Sequence, residues 1–156
     1  MQSYVHTAVG VLGVVLNEKE HVLLVLSRHR GWEPPQGFLN PCEAPILALH
    51  REVLEETGYR IRVRALTGVY HCVNDGVPII SICFLCEACE QVTTEVEESL
   101  AVQWVDRENL STFITHESHL LRVTDALSGQ ISVSDYRLRP FALNHSAKFP
   151  GGQDSS

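Results

Sequence analysis

Residues 37–59 read GFLNPCEAPILALHREVLEETGY, and this stretch decides the fold. Asn40-Pro41 favours a turn, and Pro45 is tolerated in the first turn of a helix, where its missing N–H is not needed. Gly58 allows a helix to end in the left-handed conformation. The stretch therefore predicts a loop followed by a helix that runs from residue 43 or 44 to residue 57.

The predicted helix has one apolar face and one acidic flank. At 100° per residue, Leu49 and Val53 share the apolar face, whereas Glu52 and Glu56 project together from a flank and Glu55 lies further round. Carboxylates three or four residues apart repel one another, so helix stability alone does not favour this cluster. Compact groups of hard oxygen ligands suit Mg²⁺ or Mn²⁺, and we expect one of these ions here.

The order of residues in this stretch resembles the signature of the Nudix hydrolases. That signature is Gly, five residues, Glu, seven residues, then Arg-Glu-bulky-any-Glu-Glu-any-Gly-bulky. Every fixed position is matched, at Gly37, Glu43, Arg51, Glu52, Glu55, Glu56 and Gly58. Tyr59 departs from the usual aliphatic residue at the last position, and Cys42 replaces the glycine that usually precedes the signature Glu43.

The resemblance implies a fold, a reaction and roles for the matched residues. It implies an α/β fold, the Nudix-type α/β/α sandwich with a mixed sheet, and metal-dependent hydrolysis of a phosphoanhydride in a nucleoside diphosphate linked to another group. By carry-over, the metal ligands are Glu52, Glu55, Glu56 and the carbonyl of Gly37. Arg51 would orient a carboxylate, and Glu43 would tie the loop to the helix.

The identity of the general base stays open between two positions. Glu52 is one alternative, and the other is the acidic loop that contains Glu97 and Glu98, which loosely matches a family position before the late strand. Glu98 is included with Glu52 and Arg51 among the catalytic candidates. The alternative for the loop is a solvated acidic segment.

The remaining chain predicts a sheet around this helix. Strands are expected at residues 5–16, 21–27, 60–73, 77–86 and 102–105, and a second helix at 116–127. A short polar turn makes the first two strands a predicted hairpin, and Asn74-Asp75-Gly76 is a strong hairpin signal between the next two. From Ile131 onward the pattern is weak. The order predicts a mixed sheet flanked by helices.

Length and composition favour a single domain that acts on small molecules. The chain has 156 residues, 44% of them hydrophobic, and a formal net charge of −7. We expect one domain at residues 1–145 and a flexible tail at 146–156. The negative charge disfavours a broad interface for extended nucleic acid, and a small nucleotide is the expected partner. No leader or apolar run of membrane-spanning length is evident, so a cytoplasmic location without a membrane is expected, and a homodimer is left open.

The five cysteines are interpreted as free thiols. Cys83, Cys86 and Cys89 are spaced three apart on or near a predicted strand, where residues three apart point to opposite faces. They therefore should not converge on one zinc ion. We expect core and edge thiols in a reducing compartment.

Several residues outside the signature are candidates for substrate contact. Arg28, His29 and Arg30 form the densest basic run and either bind phosphate or line a solvated strand end. Trp32 either stacks on a base or covers the core. Tyr70 is included as a substrate-binding candidate, although its spacing falls short of the tyrosine position associated with dinucleoside polyphosphate hydrolases.

The substrate itself is left open among three classes. The sequence WEPPQG at residues 32–37 is similar to the corresponding segment of dinucleoside polyphosphate and RNA pyrophosphohydrolases. Dinucleoside polyphosphates, ADP-ribose and nucleoside triphosphates are comparable hypotheses. An alternative of another class is a nucleotide-sensing or interaction module that has lost catalysis, but every signature glutamate is present.

Overall fold

The computed structural model describes residues 3–4 and 6–152, in which nine strands and three α-helices occur. The strands are β1 Ala8–Leu16, β2 Val22–Ser27, β3 Gly31–Glu33, β4 Gln36–Phe38, β5 Tyr59–Asn74, β6 Val77–Gln91, β7 Ala101–Val105, β8 Gln130–Leu138 and β9 Phe141–Pro150. The helices are α1 Pro45–Thr57, α2 Leu110–Phe113 and α3 Glu117–Leu127. In the described part of the chain, no helix is long and apolar enough to cross a membrane.

All nine strands belong to one mixed sheet. Its main path runs β3-β2-β1-β6-β5-β8-β9, with β4 paired to β1 and β7 paired to β2. The pairs β1–β6 and β5–β8 are parallel and the others are antiparallel. The predicted β1–β2 hairpin is present at its base, where Leu16 pairs with Val22. Beyond that point β1 pairs with β4, and β2 pairs with β3 and β7.

Two apolar clusters lie on the two faces of this sheet. One contains Val123 and Ala126 of α3, and the other contains Leu49 and Val53 of α1. Because β1 contributes alternate residues to both clusters, the sheet is the central layer between two helices. The predicted mixed sheet and α/β/α sandwich are confirmed.

The cysteines follow the predicted alternation along β6. Cys83 is buried in the cluster beneath α3, and Cys86 is buried in the cluster beneath α1. Cys89 is exposed at the end of the strand. The first two thiols therefore point to opposite faces, as expected, and do not converge on one site.

Helix α1 begins and ends close to the predicted residues. Pro45 occupies its first turn, and Gly58 ends it with a left-handed φ of 77°. The Gly58 N–H donates to the carbonyl of Leu54 at 2.9 Å, which satisfies one of the last carbonyls of the helix. A Cβ at Gly58 would overlap the carbonyl oxygen of Thr93, so the loop after β6 packs directly against the end of this helix.

The C-terminal part of the chain is more ordered in structure than its sequence suggested. Strands β8 and β9 form an antiparallel hairpin that continues the sheet beyond β5. Residues 146–150 were predicted to begin a flexible tail but belong to β9, because they pair with residues 130–134 of β8. The last part of the predicted tail, residues 153–156, lies outside the described residues.

Replacement of Gly58 by alanine should destabilise the fold more than the same change at Gly76. Both glycines have a φ near 78°, so each substitution brings left-handed strain of about 1–2 kcal/mol. Open space surrounds Gly76, whereas a Cβ at Gly58 also meets the Thr93 carbonyl. We expect Gly58→Ala to cost at least about 1 kcal/mol more in urea denaturation, the low end of an overpacking penalty. Equal losses for the two variants would contradict the close packing of the loop.

Candidate active site

Three carboxylates converge at the acidic flank of α1. Ligand atoms of Glu52, Glu56 and Glu98 all lie within 4.8 Å of one another. Glu52 and Glu56 are one helical turn apart on α1, and Glu98 reaches them from the loop between β6 and β7. The structure therefore brings together two of the predicted helix ligands and the residue predicted from the acidic loop. We call these three residues the carboxylate cluster.

The loop that carries Glu98 is held by hydrogen bonds on both sides. The hydroxyl of Ser99 donates to the main-chain oxygen of Glu56 at 2.7 Å. At the start of the loop, the N–H of Val92 donates to the carbonyl of Gly58 at 2.8 Å, and at its end Leu100 N–H donates to Leu26 at 2.9 Å. Ser99, the residue next to Glu98, is thus bonded directly to the main chain of Glu56, a second member of the carboxylate cluster.

Arg51 connects the loop before α1 to the carboxylates. Its guanidinium donates to Glu43 at 2.7 and 2.8 Å and to Glu52 at 2.8 Å. It also donates to the carbonyl of Phe38 at 3.1 Å. The Arg51 hydrogen bonds, together with a hydrogen bond from the Asn40 N–H, lower the pKa of Glu43 to about 2. The predicted roles of Arg51 in orienting a carboxylate and of Glu43 in tying the loop agree with these contacts.

Glu55 lies outside the carboxylate cluster, although it was predicted as a metal ligand. Its carboxylate lies 3.2 Å from the Arg51 guanidinium, and its side chain is 39% exposed. At its helix position the side chain projects further round than Glu52 and Glu56. Arg51 therefore provides its nearest countercharge in this structure.

The carboxylate cluster has the chemistry of a divalent-cation site. Burial, together with the charges of Glu52, Glu33 and Glu98, raises the pKa of Glu56 to about 8, against one hydrogen bond from the Gln36 N–H. Burial likewise raises the pKa of Glu52. Three hard oxygen donors that repel one another in this way fit Mg²⁺ or Mn²⁺.

Gly37, the predicted backbone ligand, lies directly beside the Glu52 carboxylate. A Cβ at this residue would overlap the carboxylate of Glu52, so only glycine leaves room for that side chain. Gly37 lies in β4, which pairs with β1, and its neighbour Gln36 donates its N–H to Glu56 at 3.2 Å. The strand therefore carries the Gly37 backbone alongside α1, in keeping with the predicted role of its carbonyl.

The basic residues Arg28, His29 and Arg30 do not converge on the carboxylate cluster as a group. Arg28 and His29 are exposed in the turn after β2. Arg30 makes a two-pronged ion pair with Glu33, with N···O distances of 2.7 and 2.8 Å. Glu33 is buried, and Arg30 supplies the countercharge that its burial requires. For Arg30, an internal role is therefore visible, whereas phosphate contact by the three residues stays a prediction.

The two aromatic candidates have packing roles. Trp32 packs edge-to-face on Phe113, with ring centroids 5.7 Å apart, and joins the apolar cluster beneath α3. This favours the core alternative for Trp32. Tyr70 requires correction as a substrate-binding residue, because its side chain is only 1% exposed and its hydroxyl donates to Asp125 at 2.8 Å. The ring faces α3 in the core and is not presented to a ligand.

Sequence reasoning missed a polar pair beside the carboxylate cluster. The Gln36 side-chain nitrogen lies 3.3 Å from Nε2 of His119 on α3. Nδ1 of His119 is buried and faces Glu33 at 3.5 Å, and burial lowers the pKa of this imidazole to about 3. The pairing joins residues 83 positions apart, so no local sequence pattern could predict it. The only sequence signal was a histidine on the buried face of an amphipathic helix.

Comparisons with known proteins agree with this geometry. The NUDIX domain family matches residues 6–127. A MutT-like protein from Streptomyces ambofaciens is 37% identical over 123 residues, which cover 78% of each chain. The chain belongs to the Nudix hydrolase family. Relatives named as a putative 8-oxo-dGTP diphosphatase and as an ADP-ribose pyrophosphatase are among the members of this family, whose enzymes act on phosphoanhydride bonds.

Two further relatives of this Nudix hydrolase place it within the family. An ADP-ribose pyrophosphatase from Methanocaldococcus jannaschii is 30% identical, over 69% of this chain and 66% of that protein. A NUDIX hydrolase structure from Nitrosomonas europaea superposes with a TM-score of 0.70 at 24% identity, over 80% of this chain and 90% of that one, which shows the shared fold. For several other relatives, the chain spans less than half of their length.

Loss of the Ser99 hydroxyl should weaken binding of a divalent cation. Ser99→Ala removes the bond to Glu56 and frees the loop that presents Glu98, so we expect Mn²⁺ affinity to fall roughly tenfold, as for other residues that orient ligands. Isothermal titration calorimetry of Mn²⁺ into the metal-free protein measures this. Ser111→Ala, at an exposed serine of α2, is the matched control. Unchanged affinity in Ser99→Ala would show that the loop holds Glu98 without this bond.

Proposed function

We propose that this Nudix hydrolase cleaves a phosphoanhydride bond in a small nucleotide with the help of Mg²⁺ or Mn²⁺. The observation that carries the proposal is the convergence of Glu52, Glu56 and Glu98, with all ligand atoms within 4.8 Å. When bound, a divalent cation neutralises phosphate oxygens and lowers the pKa of an attacking water. Glu52, Glu56, Glu98 and the Gly37 carbonyl would hold it, whereas Glu55, which pairs with Arg51 outside the carboxylate cluster, stays a predicted further ligand.

The chain's own residues divide the remaining work between orientation and proton transfer. Arg51 fixes the Glu52 carboxylate by a charge-assisted hydrogen bond, which suits Glu52 to a positioned ligand. Glu98 is the exposed member of the carboxylate cluster. A carboxylate that water can reach beside the reacting phosphate is suited to accept the proton of that water. Because Glu98 offers one carboxylate oxygen to the carboxylate cluster, we assign its other oxygen as the proton acceptor and Arg51 as a positioning residue.

The Gln36–His119 pair supports a nucleotide as the substrate. If Gln36 donates to Nε2 of His119, Nδ1 carries the hydrogen that faces the Glu33 carboxylate. This arrangement leaves the carbonyl and the second N–H of the Gln36 amide for other partners. A donor and an acceptor fixed side by side match the hydrogen-bonding edge of a base or an amide. Gln36 would therefore contact the part of the substrate next to its phosphates.

The net charge and the thiols bear on the substrate size and the compartment. A chain of charge −7 is unsuited to follow an extended polyanion, so the proposed partner is a small nucleotide and not nucleic acid. The five cysteines are unpaired, which is typical of a reducing compartment such as the cytoplasm. The relative named as an ADP-ribose pyrophosphatase keeps ADP-ribose beside dinucleoside polyphosphates and nucleoside triphosphates as a substrate class.

A substrate panel with product identification tests the proposed function. Dinucleoside polyphosphates, ADP-ribose, nucleotide sugars and nucleoside triphosphates would each be incubated with Mg²⁺, and the products separated by chromatography. We expect hydrolysis of at least one class, with loss of activity in excess EDTA and recovery on addition of Mg²⁺. Full hydrolysis in EDTA would rule out the metal-dependent reaction. Silence across the panel would favour a nucleotide-binding module.

Glu56→Gln should reduce turnover by roughly two orders of magnitude, because it removes one charged ligand from the carboxylate cluster. Glu97→Gln is the matched control, since Glu97 is exposed in the same loop and lies outside the cluster. Steady-state kinetics on the best substrate of the panel give the comparison, with circular dichroism to confirm the fold. Turnover of Glu56→Gln within a few-fold of the Glu97→Gln value would refute the assignment.

A further inference from the structure

The β8–β9 hairpin lies beyond the part of the chain that the family match explains. The match ends at residue 127, and the hairpin occupies residues 130–150. It extends the sheet past β5, with β9 at the edge. Among the described residues, β9 pairs only with β8, so the backbone groups along its other side face outward. Every residue from 143 to 150 is exposed.

Part of one face of this hairpin is apolar and lacks a covering helix in the described structure. On β8, Val133 is 46% exposed and lies opposite Ala147, while Ile131 lies opposite Phe149, which is 49% exposed. These residues share the face on which α1 packs, because Val133 is in register with Val69 and Val69 with Ile82 of the cluster beneath α1. That cluster contains no residue of β8 or β9.

The charges of β9 are balanced within its own chain. Nζ of Lys148 lies 2.9 Å from Asp125 on α3 and donates to the Ser132 hydroxyl at 2.6 Å. Nδ1 of His145 lies 3.6 Å from Asp135 on β8. Lysines on edge strands often prevent pairing with another chain by repulsion. Here the lysine is neutralised by a helix that packs behind the hairpin.

Two features limit where another strand could pair. A register shift near Asn144 interrupts the ladder between β8 and β9, and Pro150 ends the strand without a backbone donor. The regular part of the free edge therefore runs from His145 to Phe149. Ala147, a small residue, stands at its centre.

We propose that a second copy of this chain pairs with β9, antiparallel, about a two-fold axis at Ala147. Ala147 then lies opposite Ala147 of the partner subunit. Lys148 lies opposite the small neutral Ser146 of the partner subunit, and His145 lies opposite Phe149 of the partner subunit. No like charges oppose each other in this register. It therefore avoids the destabilisation that directly opposed like charges cause. The two sheets become one, and the exposed Val133 and Phe149 of each copy form one continuous apolar surface.

A cysteine at the proposed axis gives a direct test. Opposed residues of an antiparallel pair have Cβ atoms about 4.5–5.5 Å apart, close to the separation that a disulfide requires. In a background with the exposed Cys42 and Cys89 replaced by serine, we expect Ala147→Cys to form a covalent dimer under mild oxidation. Ala142→Cys, earlier on the same strand, is the matched control. Equal cross-linking of the two variants, or none, would overturn the proposed register.

The oligomeric state without a cross-link gives the second test. By sedimentation equilibrium we expect the wild-type chain to dimerise. Ala147→Lys, which places two lysines opposite each other, should raise the dimer Kd at least tenfold, or about 1.4 kcal/mol. Ala142→Lys should leave it within about two-fold. A wild-type chain that stays monomeric at the highest soluble concentration, or an Ala147→Lys variant that dimerises as well as wild type, would overturn the proposal.

Discussion

Mutual repulsion among three carboxylates is the constraint on which the rest of the site depends. Glu52, Glu56 and Glu98 would move apart if only their own charges mattered, and burial together with the neighbouring carboxylate charges raises the pKa of Glu56. They are held together by contacts elsewhere: Arg51 anchors one side, and the Ser99 hydroxyl anchors the other. Hydrogen bonds that hold like charges together make a site suited to a cation, since a cation between the carboxylates replaces their repulsion by attraction.

The sequence was sufficient wherever the determinants are local. Pro45 and Gly58 defined the ends of α1 because helix termini depend on residues within one turn. Cys42 has a left-handed φ of 64° on an exposed loop, which explains why glycine is the usual residue at that position. Alternation along β6 placed Cys83 and Cys86 on opposite faces for the same reason. Local spacing also identified Glu52 and Glu56 as neighbours on one flank.

Where sequence reasoning fell short, the deciding contacts were distant along the chain. Tyr70 was predicted to contact substrate, but whether such a ring faces a ligand or a helix depends on what packs above it, and Asp125 of α3 lies there. The Gln36–His119 pair and the exclusion of Glu55 likewise depend on tertiary geometry. The β8–β9 hairpin gave a weak signal because its β9 residues are exposed, so they show little alternation of apolar and polar residues.

The position of Glu98 has a consequence for the stability of the folded protein. Glu56 and Glu98 are far apart in the sequence and meet only after β5, β6 and the intervening loop have assembled, so an unfolded chain offers a cation no comparable site. Binding of an ion at this site would be thermodynamically linked to folding, and the linkage would grow with the concentration of free ion. Supply of a divalent metal would thus influence how much intact protein persists in the cell, apart from any effect on its chemistry.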